Sequence, residues 1–334
     1  MKKHVAYLDY LRSYAMIMVV LLHCIGFFIT EEKNFGTTSW YINLVVNAFS
    51  RTAVPIFLMI SGYLMLSSEG ASDMRGFYKK RLGRIVIPLV FWNVIYYIFD
   101  VIKNNSTLSF ASFFNGFFST GTYYHLWYLY MLGVLYLLTP FIKCITDRCS
   151  IRQLTLLVVI LFSSSTIFPI LNTVFSLHIR LFDALCNGYI PCYILGYILA
   201  KADFGKGDTL FFGIFAFVCL FLSVVINHAN SSAGYINLVT NSGYSFCHIG
   251  MAASAFVIFR FFATRANRTV QFVAKYSFGV YLVHIIVLEV IMEFFCIDAS
   301  PIVTSLYLFA VTTVLSLLIS FVIMKIKYLN KVIS

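Results

Sequence analysis

Apolar residues along the chain come in long runs rather than in strict alternation with polar ones. The runs lie near residues 7–29, 42–66, 83–102, 125–143, 153–171, 184–200, 209–227, 245–263, 277–295 and 302–324. An α-helix crosses a hydrocarbon core of ~30 Å in about 20 residues, which is the scale of these runs. The absence of a two-residue period excludes a transmembrane β-barrel. The pattern predicts an all-α polytopic membrane protein with about ten transmembrane helices. The intervening loops are short, and no convincing internal repeat appears. Residues 1–334 are therefore expected to form a single membrane domain with no appended soluble domain.

Composition agrees with that reading. The chain is 60% hydrophobic and 11% charged, against about 25% charged residues in an average soluble domain. The first run is not expected to be a cleaved signal peptide, because it carries Asp9, Arg12 and His23 and no small-x-small site follows it. The net charge of +11 raises the question of an acidic partner. Its distribution answers it. Nineteen of the 24 Lys and Arg residues lie at the termini and in every second loop: Lys2 and Lys3, the Arg75–Arg84 run, Lys143 to Arg152, Lys201 and Lys206, Arg260 to Lys275, and Lys325 to Lys331. The other loops hold Lys33, Lys103 and Arg180. The positive-inside rule then places both termini in the cytoplasm. The charge orients the protein among membrane lipids and calls for no nucleic acid. Eight scattered cysteines without a C-x-x-C pair imply neither a disulfide framework nor zinc. The sparse carboxylates and the histidine spacing suggest no other metal.

The informative positions are the polar ones inside apolar runs. Arg12 and His23 are 11 residues apart. At ~100° per residue they share one helix face, roughly 16 Å apart along the axis, and Asp9 joins the same stripe. Ionisable groups in a spanning helix usually face a bundle interior or a wet cavity. A neutral His23 there suits a general base towards an alcohol; the plainer alternative is a histidine hydrogen-bonded inside the bundle. Arg51 lies four residues before Pro55, whose missing N–H frees the Arg51 carbonyl and predicts a kink. It reads equally as a functional cation or as one snorkelling from a packing helix. Gly62 permits close backbone approach, and for Ser61 and Gly62 packing is the leading reading. Arg81 and Arg84 open the third run, where guanidinium forks suit phosphates or serve as ordinary interfacial charge. His125 opens the fourth run with Trp127, and Tyr136 lies three turns along the same face; an interfacial aromatic belt is the alternative. Ser277, Tyr281 and His284 form one polar face of the ninth run, as a site or a hydrogen-bonded seam. Glu289 falls on another face, and its role stays open.

Taken in order, these segments resemble the acyltransferase 3 family of multi-spanning membrane acyltransferases over nearly the whole length. Leu8-Asp9-Tyr10-Leu11-Arg12 and the spacing of Arg12 to His23 are similar to the family's opening block. Val54 to Tyr63, Arg81-x-x-Arg84, Tyr124-His125-Leu126-Trp127 and Ser277 to His284 resemble later blocks. The overall length looks most like the family's short stand-alone members, such as those that O-acetylate enterobacterial common antigen. The resemblance implies a bacterial cytoplasmic-membrane enzyme. It would move an acyl group, usually acetyl, from acetyl-CoA to a hydroxyl of a surface polysaccharide or its lipid-linked precursor. On that reading His23, Arg12 and Asp9 are catalytic. Arg81 and Arg84 hold the coenzyme A phosphates, while Arg51, His125, Tyr136, Tyr281 and His284 bind substrate. No metal is implied. A transporter or exporter of a glycan or amino acid using the same polar path is the main alternative, and a ligand-binding sensor domain a weaker one.

Overall fold

A computed structural model describes residues 5–68, 70, 73–119, 121–175, 188–238, 240, 245–295, 297 and 299–333, without the side chains of 164–175. Lys2, Lys3, Arg180, Cys186, Cys296 and the start of the sixth predicted span lie outside the described residues. The described chain is helical, with no named strand. Its α-helices are α1 (Ala6–Thr30), α2 (Thr38–Ser50), α3 (Ala53–Leu66), α4 (Met74–Arg81), α5 (Gly83–Lys103), α6 (Phe110–Phe118), α7 (Trp127–Arg148), α8 (Ile151–Phe175), α9 (Tyr189–Lys201), α10 (Lys206–Ala229), α11 (Phe246–Phe262), α12 (Arg268–Phe294) and α13 (Pro301–Lys325).

Among the described residues, seven stretches are long and apolar enough to cross a membrane: Ala6–Thr30, Thr38–Leu66, Met74–Lys103, Tyr124–Arg148, Lys206–Ala229, Arg268–Phe294 and Pro301–Lys325. Shorter apolar helices cover Ile151–Ser163, Tyr189–Lys201 and Phe246–Phe262. Every apolar run of the sequence thus contains a helix. Two described helices have no counterpart among those runs: α4 in the basic loop before the third run, and α6 in the stretch read as a loop after it. The five phenylalanines of α6 within nine residues are too short a segment for a spanning signal.

The chain divides into two units. The first comprises Met1–Ser67, Cys149–Ser277 and Ile297–Ala310. Its tightest crossing joins α3 to α9. A Cβ on Gly62 would overlap the Tyr193 carbonyl, and one on Gly196 would overlap the Met59 backbone. Small residues let helix backbones approach where no hydrophobic drive separates protein from lipid. Here that approach depends on a glycine from each helix. On α11, a Cβ at Gly250 would come within 2.7 Å of Cys219 Sγ and 2.9 Å of the Phe215 ring, both on α10. The α1 helix is tied to α12 by Ser13 Oγ, which donates to the Val270 carbonyl at 3.0 Å. Trp40 Nε1 donates to the Ile29 carbonyl at 3.2 Å, joining α2 to the end of α1. Arg260, one of the loop charges that the positive-inside argument counted, has a structural task. Its Nη1 donates to the Leu199 carbonyl at 2.6 Å and also to the Ala202 carbonyl, closing the end of α9.

The second unit comprises Ser68–Arg148, Phe278–Cys296 and Val311–Ser334. Tyr96 of α5 donates to the Leu282 carbonyl of α12 at 2.8 Å. Trp92 donates to the Val332 carbonyl at 2.9 Å, so the 3-10 turn Leu329–Val332 packs back on α5. Tyr78 of α4 donates to the Leu137 carbonyl of α7 at 2.8 Å. Gly279 of α12 faces Ser320 of α13, where a Cβ would lie 2.9 Å from the serine Cβ and Oγ.

Replacing Gly62 or Gly196 with alanine should destabilise the protein by about 1–3 kcal/mol or more, the cost of overpacking a closed contact. Gly213→Ala is the control, because nothing lies within 4 Å of its would-be Cβ; there the better helix propensity of alanine leaves stability unchanged or raises it by up to ~1 kcal/mol. Thermal unfolding of the detergent-solubilised variants reads the difference.

Candidate active site

The first-unit candidates begin on α1. Arg12 Nη1 lies 3.5 Å from Asp9 Oδ1, one turn away, with the carboxylate nearly buried and the guanidinium one-third exposed. An i,i+3 pair of this kind holds the arginine along the helix and lowers the cost of its charge in apolar surroundings. His23 is half-buried on the same helix, consistent with the shared stripe. Its neighbours Cys24 and Ile25 are fully packed. The imidazole therefore stands at the boundary of the α1 contact surface of this unit rather than in its core.

Arg51 sits at an interruption. The helix predicted to kink before Pro55 breaks at Arg51–Thr52, between α2 and α3. The Arg51 N–H still bonds the Asn47 carbonyl at 3.1 Å. Its own carbonyl has no i+4 donor, because that position is Pro55. Thr52, completely buried, stabilises the break from both sides. Its Oγ1 donates to the Phe49 carbonyl at 2.6 Å and lies 3.2 Å from Tyr14 Oη of α1. Tyr14 thus couples the helix bearing Arg12 and His23 to the break bearing Arg51. Neither Tyr14 nor Thr52 stood out in the sequence; a tyrosine two residues after Arg12 is an ordinary apolar-run residue until its partner is known.

The second-unit candidates divide into two groups. Arg81 is the last residue of α4 and is half-buried; Arg84 is the second residue of α5 and is exposed. Leu82 between them keeps helical dihedrals, φ −62° and ψ −41°. Together with Arg75, Lys79 and Lys80 they make a cationic segment just before a span. Tyr136 belongs with this end of the unit: its ring meets that of Phe77 of α4 at 6.4 Å.

His125, Tyr281 and His284 come together. His125 lies in the 3-10 turn Tyr124–Leu126 that leads into α7. Its ring centroid is 5.6 Å from His284, nearly perpendicular at 80°, and 5.7 Å from Tyr281. Tyr96 approaches it edge-on at 4.5 Å. Tyr281 Oη donates to the His125 carbonyl at 2.7 Å, tying α12 to the turn. His284 Nδ1 faces the carbonyls of Tyr281 at 2.7 Å and Val280 at 3.1 Å. Two acceptors at Nδ1 assign the hydrogen there and leave Nε2 as the acceptor nitrogen. Ser277, read on the same polar face, instead donates to the Ala274 carbonyl at 2.9 Å within its own helix.

Glu289, left open by the sequence, proves to be the anchor of this cluster. One carboxylate oxygen accepts from Lys103 Nζ at 2.6 Å and the other from Tyr123 Oη. Burial, and then the Glu289 carboxylate, raise the Tyr123 phenol above its ordinary range, so it stays protonated and donates. Thr122 completes the brace. Its N–H donates to Asn93 Oδ1 at 2.8 Å and its hydroxyl to the Asn93 carbonyl at 2.9 Å. The two residues leading into the His125 turn, Thr122 and Tyr123, are thereby fixed by groups far away in sequence. No grouping of His, Cys, Asp or Glu fit to hold a metal is found among the described residues. Among the described residues, Cys24, Cys144, Cys149, Cys192, Cys219 and Cys247 form no disulfide.

An ion-paired stripe on one apolar helix, a helix broken beside an arginine, and a histidine–tyrosine cluster fixed by a carboxylate define an integral membrane protein built to keep polar chemistry within apolar helices. The family model described as acyltransferase domain, Acyl_transf_3, matches residues 5–325, and the chain belongs to that family of membrane acyltransferases. No curated protein and no solved structure gives a match.

Glu289→Ala should cost about 1–3 kcal/mol, because it strands two donors at once. Tyr123→Phe removes one hydrogen bond and should cost about 1 kcal/mol. Denaturation in detergent orders the two; equal or reversed effects would show that the carboxylate does not hold the turn.

Proposed function

We propose that this acyltransferase moves an acetyl group from cytoplasmic acetyl-CoA to a hydroxyl of a cell-surface polysaccharide or its lipid-linked precursor, in the cytoplasmic membrane of a bacterium. The observation that carries the reading is the Asp9–Arg12 pair on one face of α1 with His23 three turns further along, in a chain belonging to an acyltransferase family. The proposed topology has ten spans and both termini in the cytoplasm, as the alternation of basic loops supports. The functional comparison we propose is with short stand-alone members of the family that acetylate enterobacterial glycan.

Acetyl-CoA supplies an activated thioester carbonyl. The cationic segment of α4 and the start of α5 has the chemistry to take its phosphates, with Arg81 and Arg84 as the forked donors. In the first unit, His23 accepts the proton of the acceptor hydroxyl as its oxygen attacks the thioester carbon. Arg12 stabilises the negative charge developing on the carbonyl oxygen, and Asp9 keeps the guanidinium in place. The new carbon–oxygen bond forms as the carbon–sulfur bond breaks, and the proton held by His23 passes to the departing thiolate. Arg51 and the His125–Tyr281–His284 cluster are assigned to the acceptor. Their hydrogen-bonding groups and aromatic faces suit a polyhydroxylated ring.

His23→Ala should lower acetylation by about 10²–10⁴-fold, the usual contribution of a general base, while the protein still accumulates in the membrane. Mass spectrometry of surface polysaccharide from cells carrying the variant reads the loss of the acetyl mass; normal acetylation removes His23 from the mechanism. Arg81→Ala and Arg84→Ala should each raise KM for acetyl-CoA by about tenfold, the worth of one charge-assisted hydrogen bond, with a smaller change in kcat. Movement of a glycan across proteoliposomes without acetyl-CoA would favour a transporter instead.

A further inference from the structure

The α6 helix is the one described helix that contributes nothing to a core: none of its nine residues is buried. Its composition is uneven around the axis. At ~100° per residue, Phe113, Phe117, Phe110, Phe114 and Phe118 fall in order across a continuous arc of roughly 140°, and Ala111, Ser112, Asn115 and Gly116 occupy the opposite side. The two halves of the aromatic arc have different surroundings. Phe113 lies 5.3 Å from Tyr97 of α5, and Phe117 lies 6.1 Å from Tyr130 of α7. Phe110, Phe114 and Phe118 form an i, i+4, i+8 row with centroids 4.5 and 5.8 Å apart. Phe110 is 80% exposed and Phe118 74%.

We propose that this row inserts into the surface layer of the lipid bilayer, with α6 lying in the membrane plane beside the ends of α5 and α7. Three observations select lipid as the occupant. First, both ends of α6 are pinned to the terminal turns of spanning stretches. Tyr97 Oη donates to the Ser109 carbonyl at 2.7 Å and accepts from the Ser109 N–H at 2.8 Å, and Tyr130 Oη donates to the Phe117 carbonyl at 2.6 Å. Tyr97 lies in the last two turns of α5 and Tyr130 in the first turn of α7, so α6 sits at the edge of the apolar layer those stretches cross. Second, the end of α5 and the segment leading into α6 also expose apolar side chains, Ile98, Ile102 and Leu108, as on the lipid-facing side of a span. Third, no Asp, Glu, Lys or Arg occurs from Asn104 to Ile142. The polar side of α6 is serine, asparagine and glycine. Insertion of such a helix is driven by the aromatic rings alone and does not depend on anionic headgroups. The end of α6 is tied to the approach to the His125 turn by the Gly121 N–H, which donates to the Gly116 carbonyl at 3.1 Å, so the depth of the row in the bilayer sets the level at which that turn stands.

The test reads depth in reconstituted full-length protein. Phe114→Trp and Asn115→Trp are each compared with the unmodified chain in phosphatidylcholine vesicles containing lipids brominated at defined acyl positions. Phe114→Trp should add a fluorescence component that is blue-shifted and lost most with shallow bromines, while the component added by Asn115→Trp stays red-shifted and resists quenching. Inclusion of phosphatidylglycerol should change neither. Equal quenching of the two positions, no quenching at Phe114→Trp, or insertion that requires phosphatidylglycerol each overturns the proposal. The unmodified chain supplies a second measurement that no substitution can disturb. A phosphatidylcholine carrying a photoactivated carbene precursor in its acyl chain should label Phe110, Phe114 and Phe118 in preference to Ser112 and Asn115. Absence of adducts on the row, or protection of the row because a second copy of the chain covers it, refutes the assignment.

Discussion

Within an apolar layer each backbone N–H and C=O needs a partner inside the protein, and this requirement organises the rest of the structure. Uninterrupted helices meet it by themselves. Four of the candidates, however, stand where helices stop or bend: Arg51 at the α2–α3 break, Arg81 and Arg84 at the α4–α5 junction, His125 in the turn before α7; Asp9, Arg12 and His23 lie within α1, and Tyr281 and His284 within α12. Two of these interruptions are supported by side chains. Thr52 and Tyr14 attend the first break, and Asn93, Thr122 and Tyr281 the third. Arg260 does the same at the end of α9. These supports are what let polar side chains stand at fixed positions within apolar helices.

The two units solve the problem of buried charge differently. In the first, Asp9 and Arg12 pair within one helix, so the pair forms with the helix itself and its geometry follows from one turn of backbone. In the second, Glu289 gathers Lys103 and Tyr123 from other parts of the chain. That carboxylate is satisfied only once α5, the turn before α7 and α12 have assembled. A local pair keeps Arg12 in one orientation, while a long-range clasp makes the shape of the His125 turn depend on several elements at once. Both arrangements belong to a chain of a membrane acyltransferase family.

Several elements were legible from hydropathy and period. Every apolar run contains a helix, and the Pro55 argument located an interruption at its freed carbonyl, seen as the break at Arg51–Thr52. The close approach expected at Gly62 is present, although nothing in the sequence pointed to Gly196 as its counterpart. Tyr136 is the instructive case among the candidates. Its spacing from His125 placed the two on one stripe three turns apart, and the structure adds a contact that spacing does not record, with Phe77 of α4. The α6 helix was hidden because its signal is an arc of phenylalanines over nine residues, shorter than the window in which a span declares itself.

The sequence by itself determined which segments are helical and apolar, and which polar residues share a helix face. Hydropathy sums along a segment and the helical period acts over a few residues, so both are written locally. Only the tertiary structure decided that Glu289 clasps Lys103 and Tyr123, that His125 meets His284, and that Gly62 finds its partner helix in α9. Those pairings join residues far apart in the chain, where no local period records them, and they arise from the matching of buried polar groups and backbone surfaces as the helices pack.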